Sequence, residues 1–282
     1  MNLIHEHIAH PEASFRVLRL RQDAFRGGRH RHRHLELTWI ERGAGLRHVG
    51  DCVQPYEAGD LVLLGPNLPH AWVSGRGRAG QQHEATVLQF APEVLDTAAM
   101  PELAVARGLR DLAGRGLRLP ASAAEPVTAA LAHLPERTGL SGLSAFVEIL
   151  ARLAACQAAM APLAGVATRT VLAADTEHDR RIARVIEWVH RHLARPLTVA
   201  AAARLVHISP GAFSRWFSRE TGKTFTGYIN DIRCGEACLR LRSTDKPVAV
   251  IAHECGFNTM SNFNRQFRER FGLSPREFRG LG

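Results

Sequence analysis

The sequence predicts two domains of different class: an N-terminal β-barrel followed by helices, and a C-terminal all-α domain built from two helix-turn-helix units. Three observations predict it. Short apolar runs punctuated by glycine fill residues 15–90, an Ala/Leu-rich helical stretch follows, and a fifty-residue internal repeat closes the chain. At 282 residues, two domains are the natural expectation.

The barrel region opens with Phe15, Val17, Leu18 and Leu20, alternates over 34–40, and has an apolar run at 61–64. Gly43, Gly45, Gly50, Gly59 and Gly65 fall at turn-like intervals. Within it stands His30-Arg31-His32-Arg33-His34-Leu35-Glu36. On a strand, side chains two apart share a face, so His30, His32, His34 and Glu36 are expected to point one way. His70 follows downstream, after Gly59, Gly65 and Pro69. Imidazoles and a carboxylate converging in a barrel make a donor set for Zn, Fe or Mn, or the polar lining of a ligand pocket.

From Pro92 the chain reads as helical. Leu143, Phe146, Val147, Leu150 and Ala154 give an amphipathic helix from about Ser141 to Met160, which packs on the barrel or on its copy in a second subunit. Residues 165–176 lack periodicity and read as a linker. The expected division is 1–164 for the barrel with its helices, 165–178 for the linker, and 179–282 for the helical domain.

In the helical domain Ile182, Val185, Ile186, Val189 and Leu193 form the first stripe, and Pro196 ends that helix. Thr198 caps the next, over 199–206. Ser209-Pro210 starts a helix that stops at Gly222. Fifty residues later the pattern returns: Phe213, Arg215, Phe217 and Gly222 correspond to Phe263, Arg265, Phe267 and Gly272. A helix over about 228–242 joins the two copies through Ile229 and Ile232. In the second copy Val250, Ile251 and Ala252 are expected to be buried, Gly256 reverses the chain, and Thr259 caps the next helix. Phe263, Phe267 and Phe271 recur every four residues, while Ser261, Asn264, Arg265 and Arg268 occupy the other face. A phenylalanine stripe alone describes any helical hairpin with an aromatic core. The apolar anchor with an opposed cationic face is what a helix reading the major groove needs.

Charge supports the division. Residues 1–175 hold 18 Lys+Arg against 17 Asp+Glu, whereas 176–282 hold 18 against 10, so the basic excess sits with the repeat, as phosphate contact requires. No apolar run is long enough to span a membrane, and the polar start does not read as a signal peptide. The five cysteines form no CxxC pair, and packing explains Cys234 and Cys238, so a reducing cytoplasm is expected.

The C-terminal stretch resembles the signature of the AraC family of bacterial transcription regulators, through Ile251-Ala252, Gly256-Phe257, Ser261, Phe263, Arg265, Phe267, Gly272, Ser274-Pro275 and Arg279. The His30–His70 region resembles the two cupin motifs, although Gly65 and Asn67 stand where the second motif carries Pro and Gly. Together they imply a regulator with a cupin-like sensor domain that binds double-stranded DNA and a small-molecule effector. Homodimerisation and contact with RNA polymerase are also implied. Neither membrane association nor catalysis is expected.

The expected DNA-facing set is Ser209, Gly211, Ser214, Arg215 and Arg219 in the first unit, and Thr259, Ser261, Asn264, Arg265 and Arg268 in the second. Arg215 and Arg265 are expected at guanine edges, Asn264 at adenine, and Arg219 and Arg268 at phosphates. Gly211 offers no side chain, so the first helix is expected to discriminate less. The expected effector-binding set is His30, His32, Glu36, Trp39, His70 and Trp72. No cofactor is expected; a metal, if bound, would take His30, His32, Glu36 and His70. The competing readings are a cupin metalloenzyme with an accessory helical tail and a sequence-indifferent architectural DNA binder.

Overall fold

A computed structural model describes residues 4–5, 14–25, 29–74, 82–95, 100–165 and 177–280. The barrel strands are β1 (Ile4–His5), β2 (Phe15–Gln22), β3 (His30–Arg31), β4 (Leu35–Arg42), β5 (Gly45–Val49), β6 (Cys52–Tyr56), β7 (Leu61–Leu64), β8 (His70–Ser74) and β9 (His83–Phe90). Then come α1 (Arg107–Ala113), β10 (Leu117–Leu119), α2 (Ala121–His133), α3 (Gly139–Ala155) and β11 (Ala161–Pro162). One sheet runs β1-β3-β8-β5-β6 and the other β11-β10-β7-β4-β9-β2, antiparallel except for β1 beside β3.

The two sheets share an inner core in which Val49, Tyr56 and Trp72 of the first meet Ile40, Val62, Leu64 and Ala85 of the second. The outer face of the six-stranded sheet is buried as well. Leu35 and Leu37, Leu61 and Leu63, and Leu88 and Phe90 pack under α1, α2 and α3 with Phe146, Ile149 and Leu150. Double burial explains why β7 reads as an unbroken apolar run rather than an alternating one.

The long helix expected at 141–160 is α3, which begins two residues earlier and ends at Ala155. Strands β10 and β11 interrupt the region expected to be helical. Leu117 and Leu119 pair with Leu63 and Leu61 of β7, a long-range pairing that outweighs the local Ala/Leu context.

The C-terminal half comprises α4 (Glu177–Arg191), α5 (Val199–Leu205), α6 (Pro210–Thr221), α7 (Phe225–Ser243), α8 (Val248–Glu254), α9 (Met260–Phe271) and α10 (Pro275–Gly280). The expected linker falls mostly on 166–176, outside the described residues. Helix α7 is buried nearly all round, as befits a central helix. Its first half, with Phe225, Tyr228, Ile229 and Ile232, packs into the first unit beside Phe213 and Phe217. Its second half, with Cys234, Ala237, Cys238 and Leu241, packs into the second beside Phe263 and Phe267. A third side meets the outer face of the five-stranded sheet, where Leu239 touches Ala71 and Val73, and Leu46 joins the second unit's core. All five cysteines are free thiols, three of them buried in the core.

One residue of the second unit departs from expectation. Ile251 and Ala252 are buried, but Val250 is 42% exposed. In a helix of seven residues, consecutive positions turn by about 100°, so Val250 faces solvent when Ile251 faces the core.

Candidate nucleic-acid interface and barrel cavity

Local chemistry sets both recognition helices. The Ser209 hydroxyl accepts from the Ala212 N–H at 3.3 Å, with Pro210 at the first helical position, and the Thr259 hydroxyl accepts from Asn262 N–H at 3.3 Å. Both helices end on a left-handed glycine, Gly222 at φ 70° and Gly272 at φ 71°. No atom lies within 4 Å of a Cβ added at either, so backbone conformation rather than crowding calls for glycine there. Behind the helices Phe213, Phe217, Phe263 and Phe267 are fully buried. A capping box starts α10: Ser274 N–H donates to Glu277 and Glu277 N–H to the Ser274 hydroxyl, at 2.7 and 3.3 Å. This box places Phe278 against Phe267, with ring centroids 5.3 Å apart.

The faces opposite the phenylalanines are the expected ones. Gly211, Ser214, Arg215 and Arg219 on α6, and Ser261, Asn264, Arg265 and Arg268 on α9, are all exposed, as are the caps Ser209 and Thr259. Arg265 is held along its helix by Asn262 at 3.1 Å and Glu269 at 3.2 Å, and Arg219 pairs with Glu220 at 3.0 Å. Such exposed pairs contribute about 0–1 kcal/mol, so nucleic acid can displace them. The Ser214 hydroxyl donates back to the Pro210 carbonyl at 3.1 Å. Beside α9 lies an open groove of about 1200 Å³, lined by Asn264, Arg265, Arg268, Arg276 and Arg279. Arg276 is a cation that the sequence reading did not assign; its signal was its place directly after the Ser274-Pro275 helix start.

The two units are tied together by one carboxylate. Asp231 on α7 accepts from Lys223 Nζ, just past α6, at 2.7 Å and from Arg270 Nε on α9 at 2.6 Å. Arg270 also donates to Gln266, which accepts from Asn230 on α7.

Inside the barrel a cavity of about 250 Å³ is walled by Leu18, Leu20, Phe25, Ile40, Trp72, Ala85 and Val87. Gln22, His30, Glu36, Thr38 and Gln89 supply its polar side. The strand expected through 30–36 is broken: β3 ends at Arg31, residues 33–34 bend, and β4 starts at Leu35. His34 therefore leaves the cluster, while His30, His32, Glu36 and His70 bring their donor atoms within 4.8 Å of one another. Trp72 lines the cavity as expected. Trp39 does not: it follows Leu35 and Leu37 on the opposite face of β4 and packs under the helices. Thr38 and Gln89, missed from the sequence, are the cavity-facing alternates on β4 and β9.

Glu36 is the electrostatic centre of this cluster. It accepts from His32 Nε2 and Gln89 Nε2, both at 2.9 Å, and from the Thr38 hydroxyl at 2.6 Å, with His70 Nε2 at 3.6 Å. Burial pushes its carboxyl up, but the His70 and His32 imidazoles more than offset this and hold it well below the usual carboxylate range. His70 Nδ1 is bonded to the Leu68 carbonyl at 2.8 Å, which turns Nε2 toward Glu36. Three imidazoles and one carboxylate at this separation suit a first-row transition metal. The same hydrogen bonds also satisfy Glu36 with the protein's own groups alone.

Comparison with known proteins agrees with both halves. Residues 202–280 match a family described as a helix-turn-helix domain, and residues 16–78 match the cupin domain family. An uncharacterized HTH-type transcriptional regulator of Bacillus subtilis, YobQ, is 35% identical over 94 residues, 33% of this chain and 39% of that one. The HTH-type transcriptional activator RhaS of Escherichia fergusonii is 33% identical over 117 residues, 42% of each chain. The chain thus spans about two fifths of the length of these two relatives. The regulatory protein SoxS of Salmonella typhimurium is 31% identical over 102 residues, which cover 36% of this chain and 95% of SoxS. The tandem helix-turn-helix geometry and this near-complete coverage of SoxS lead to one conclusion: the chain belongs to the AraC family of transcription regulators.

Proposed function

We propose that this chain is a sequence-specific DNA-binding transcription regulator governed by a small-molecule effector held in the barrel cavity. The observation that carries the DNA-binding part is the pair of exposed, arginine-bearing faces on α6 and α9, each backed by buried phenylalanines and both anchored on α7. Two such helices on one support enter successive major-groove segments about 34 Å apart. Arg215, Arg265 and Asn264 read base edges, Ser214 and Ser261 add short polar contacts, and Arg219 and Arg268 hold phosphates. Arg276, across the groove from α9, extends the phosphate track.

Effector control is supported by the cavity itself, apolar on most walls with polar groups at His30, Glu36, Thr38 and Gln89. The division into a sensor of residues 1–164, a linker of 165–178 and a reader of 179–282 follows from this assignment. A homodimer forms through the helical face of the sensor, where Leu140 is 84% and Val147 36% exposed. RNA polymerase is the further partner of a regulator bound beside a promoter, and the cytoplasm is its compartment. No described helix is long and apolar enough to cross a membrane.

Selection from a random DNA library tests the reading. An enriched site must outcompete random DNA at physiological salt by at least a thousandfold, and competition on equal terms leaves only an architectural binder. A second reading, a cupin metalloenzyme, draws on the convergence of His30, His32, Glu36 and His70. A bound metal would supply Lewis-acid or redox chemistry there. Elemental analysis of purified protein decides it: one transition-metal ion per chain, lost in His32→Ala, favours that reading, and a substoichiometric trace removes it.

A further inference from the structure

The register of the six-stranded sheet sorts one wall of the barrel cavity by polarity. Glu36 of β4 lies opposite Gln89 of β9, Thr38 opposite Val87, and Ile40 opposite Ala85. Leu18 and Leu20 of β2 continue the last two rows. Successive rows are two residues apart, a step of about 7 Å. The facing sheet follows the same order. His30 pairs with His70 beside Glu36, and Trp72 comes two residues further along β8, its ring centroid 5.8 Å from that of His70. Phe25 comes after it, its N–H bonded to the Ser74 hydroxyl at 2.8 Å. The cavity is therefore polar at its buried end, where Glu36 and Gln89 lie, and apolar toward the exposed Gln22.

Two buried polar atoms on these walls have no hydrogen-bond partner among the described residues: Gln89 Oε1, an acceptor, and Trp72 Nε1–H, a donor. Gln89 is 2% exposed and Trp72 9%. The Gln89 amide is fixed in this sense, because its Nε2 donates to Glu36 at 2.9 Å and a flip would set oxygen against oxygen. Buried donors and acceptors without partners are costly, and a ligand that supplies both partners removes the cost. Glu36 is already occupied, with His32, Gln89 and Thr38 all donating to it. No lysine or arginine stands among the described residues that line the cavity. We propose that the cavity takes a compact neutral molecule with an apolar ring and a single carboxamide or hydroxyl head, and that Gln89 and Trp72 read the head. Such a head donates to Gln89 Oε1 and accepts from Trp72 Nε1–H, so one group completes both. The volume sets the size: about 250 Å³ holds about ten non-hydrogen atoms, given that a cavity of about 150 Å³ takes benzene. A carboxylate is disfavoured, because its charge would lie beside Glu36 with no cation to offset it. A sugar is disfavoured too, because most of its hydroxyls would be buried against Leu18, Leu20, Ile40 and Val87. This inference rests on reading the cavity as the effector site.

The first test uses the unmodified full chain. Benzamide and benzoate share a shape and differ in charge at neutral pH. Calorimetric titration reads their binding, and the affinity for the DNA site selected from a random library reads control. Benzamide should bind at least tenfold tighter than benzoate, benzyl alcohol should follow benzamide, and glucose should not bind. A site that hydrogen-bonds its ligand rejects the analogue that leaves its buried groups unpaired. Trp72→Phe removes the donor and should weaken benzamide at least threefold relative to toluene, which has no head to read. Ala85→Leu fills the apolar end and should abolish binding of both, which places them in the cavity. Benzoate or glucose binding as tightly as benzamide, benzylamine binding more tightly, or no probe binding at millimolar concentration would each overturn the class. Equal losses of benzamide and toluene in Trp72→Phe would overturn the reading of the head. Effector control fails separately. If benzoate or glucose, and not benzamide, shifts the DNA affinity, the class falls and effector control stands. If benzamide fills the cavity and the DNA affinity does not move, the class stands and effector control falls.

Discussion

The two helix-turn-helix units share a backbone plan yet differ in what surrounds it. Each has a hydroxyl cap, two buried phenylalanines and a left-handed glycine at the end of its recognition helix. The first unit closes its core with its own residues, including Trp188 and Trp216 at the margin. The second borrows Leu46 and Val53 from the barrel. On the outward faces, Gly211 and Ser214 stand where the second unit has Ser261 and Asn264. The difference teaches that duplication preserved the scaffold while the unit pressed against the barrel kept the richer hydrogen-bonding surface.

The largest expected effect tests the shared scaffold. Phe213→Ala and Phe263→Ala each remove a fully buried ring and should cost about 3–5 kcal/mol in denaturant unfolding. If the cores differ as described, only Phe263→Ala should also loosen the barrel, read as lost hydrogen-exchange protection in β5.

Acid probes the two attachments to the barrel. Burial, with Arg29 nearby, lowers the His48 imidazole to about 3, and burial with Arg29 and His48 lowers His190 well below its ordinary value. A histidine whose folded pKa is depressed binds its proton more readily when exposed. Its contribution is therefore complete above about pH 6.5 and declines as pH falls toward the folded value. His48 alone should cost about 2 kcal/mol of stability by pH 5. Thermal unfolding across pH 7.5 to 5 should show this loss. His48→Gln should flatten it from the second unit's side, where the ring faces Gly235, and His190→Gln from the first, on α4.

Reading strength should differ between the units. Arg265→Ala should lose roughly 1–3 kcal/mol on the selected site and far less on random DNA. Arg215→Ala should lose less, and the gap should narrow in Gly211→Ser, since a Cβ at Gly211 meets only Arg215 Nη1 at 3.9 Å. Equal losses on selected and random DNA would demote either arginine to a phosphate contact. The smallest effect belongs to the caps: Ser209→Ala and Thr259→Ala should each cost about 1 kcal/mol in unfolding. A larger loss in DNA binding than in stability would show that the hydroxyls also touch the duplex.

What was legible in the sequence was local. The phenylalanine spacing, the caps Ser209 and Thr259, and the glycines 222 and 272 act within one helical turn, so their consequences were readable without coordinates. The cavity was half legible. His30, Glu36 and Trp72 line it as expected, whereas His32 and His70 gather on Glu36 without lining the cavity, the bend at 33–34 removes His34, and the alternation of β4 sends Trp39 to the other face. Strand β10 looked helical because its pairing partner lies more than fifty residues upstream. The joint between the halves was not legible at all: Asp51 and Lys223 are 172 residues apart, and Gly235 gives no hint of the sheet it lies on.

Asp231 has a consequence for the geometry of the operator. Because a single carboxylate holds the cation beyond α6 and the cation within α9, neither reader can tilt without pulling the other. Under the proposed function, packing of both units on α7, braced by Asp231, fixes the spacing at which the two helices meet the duplex.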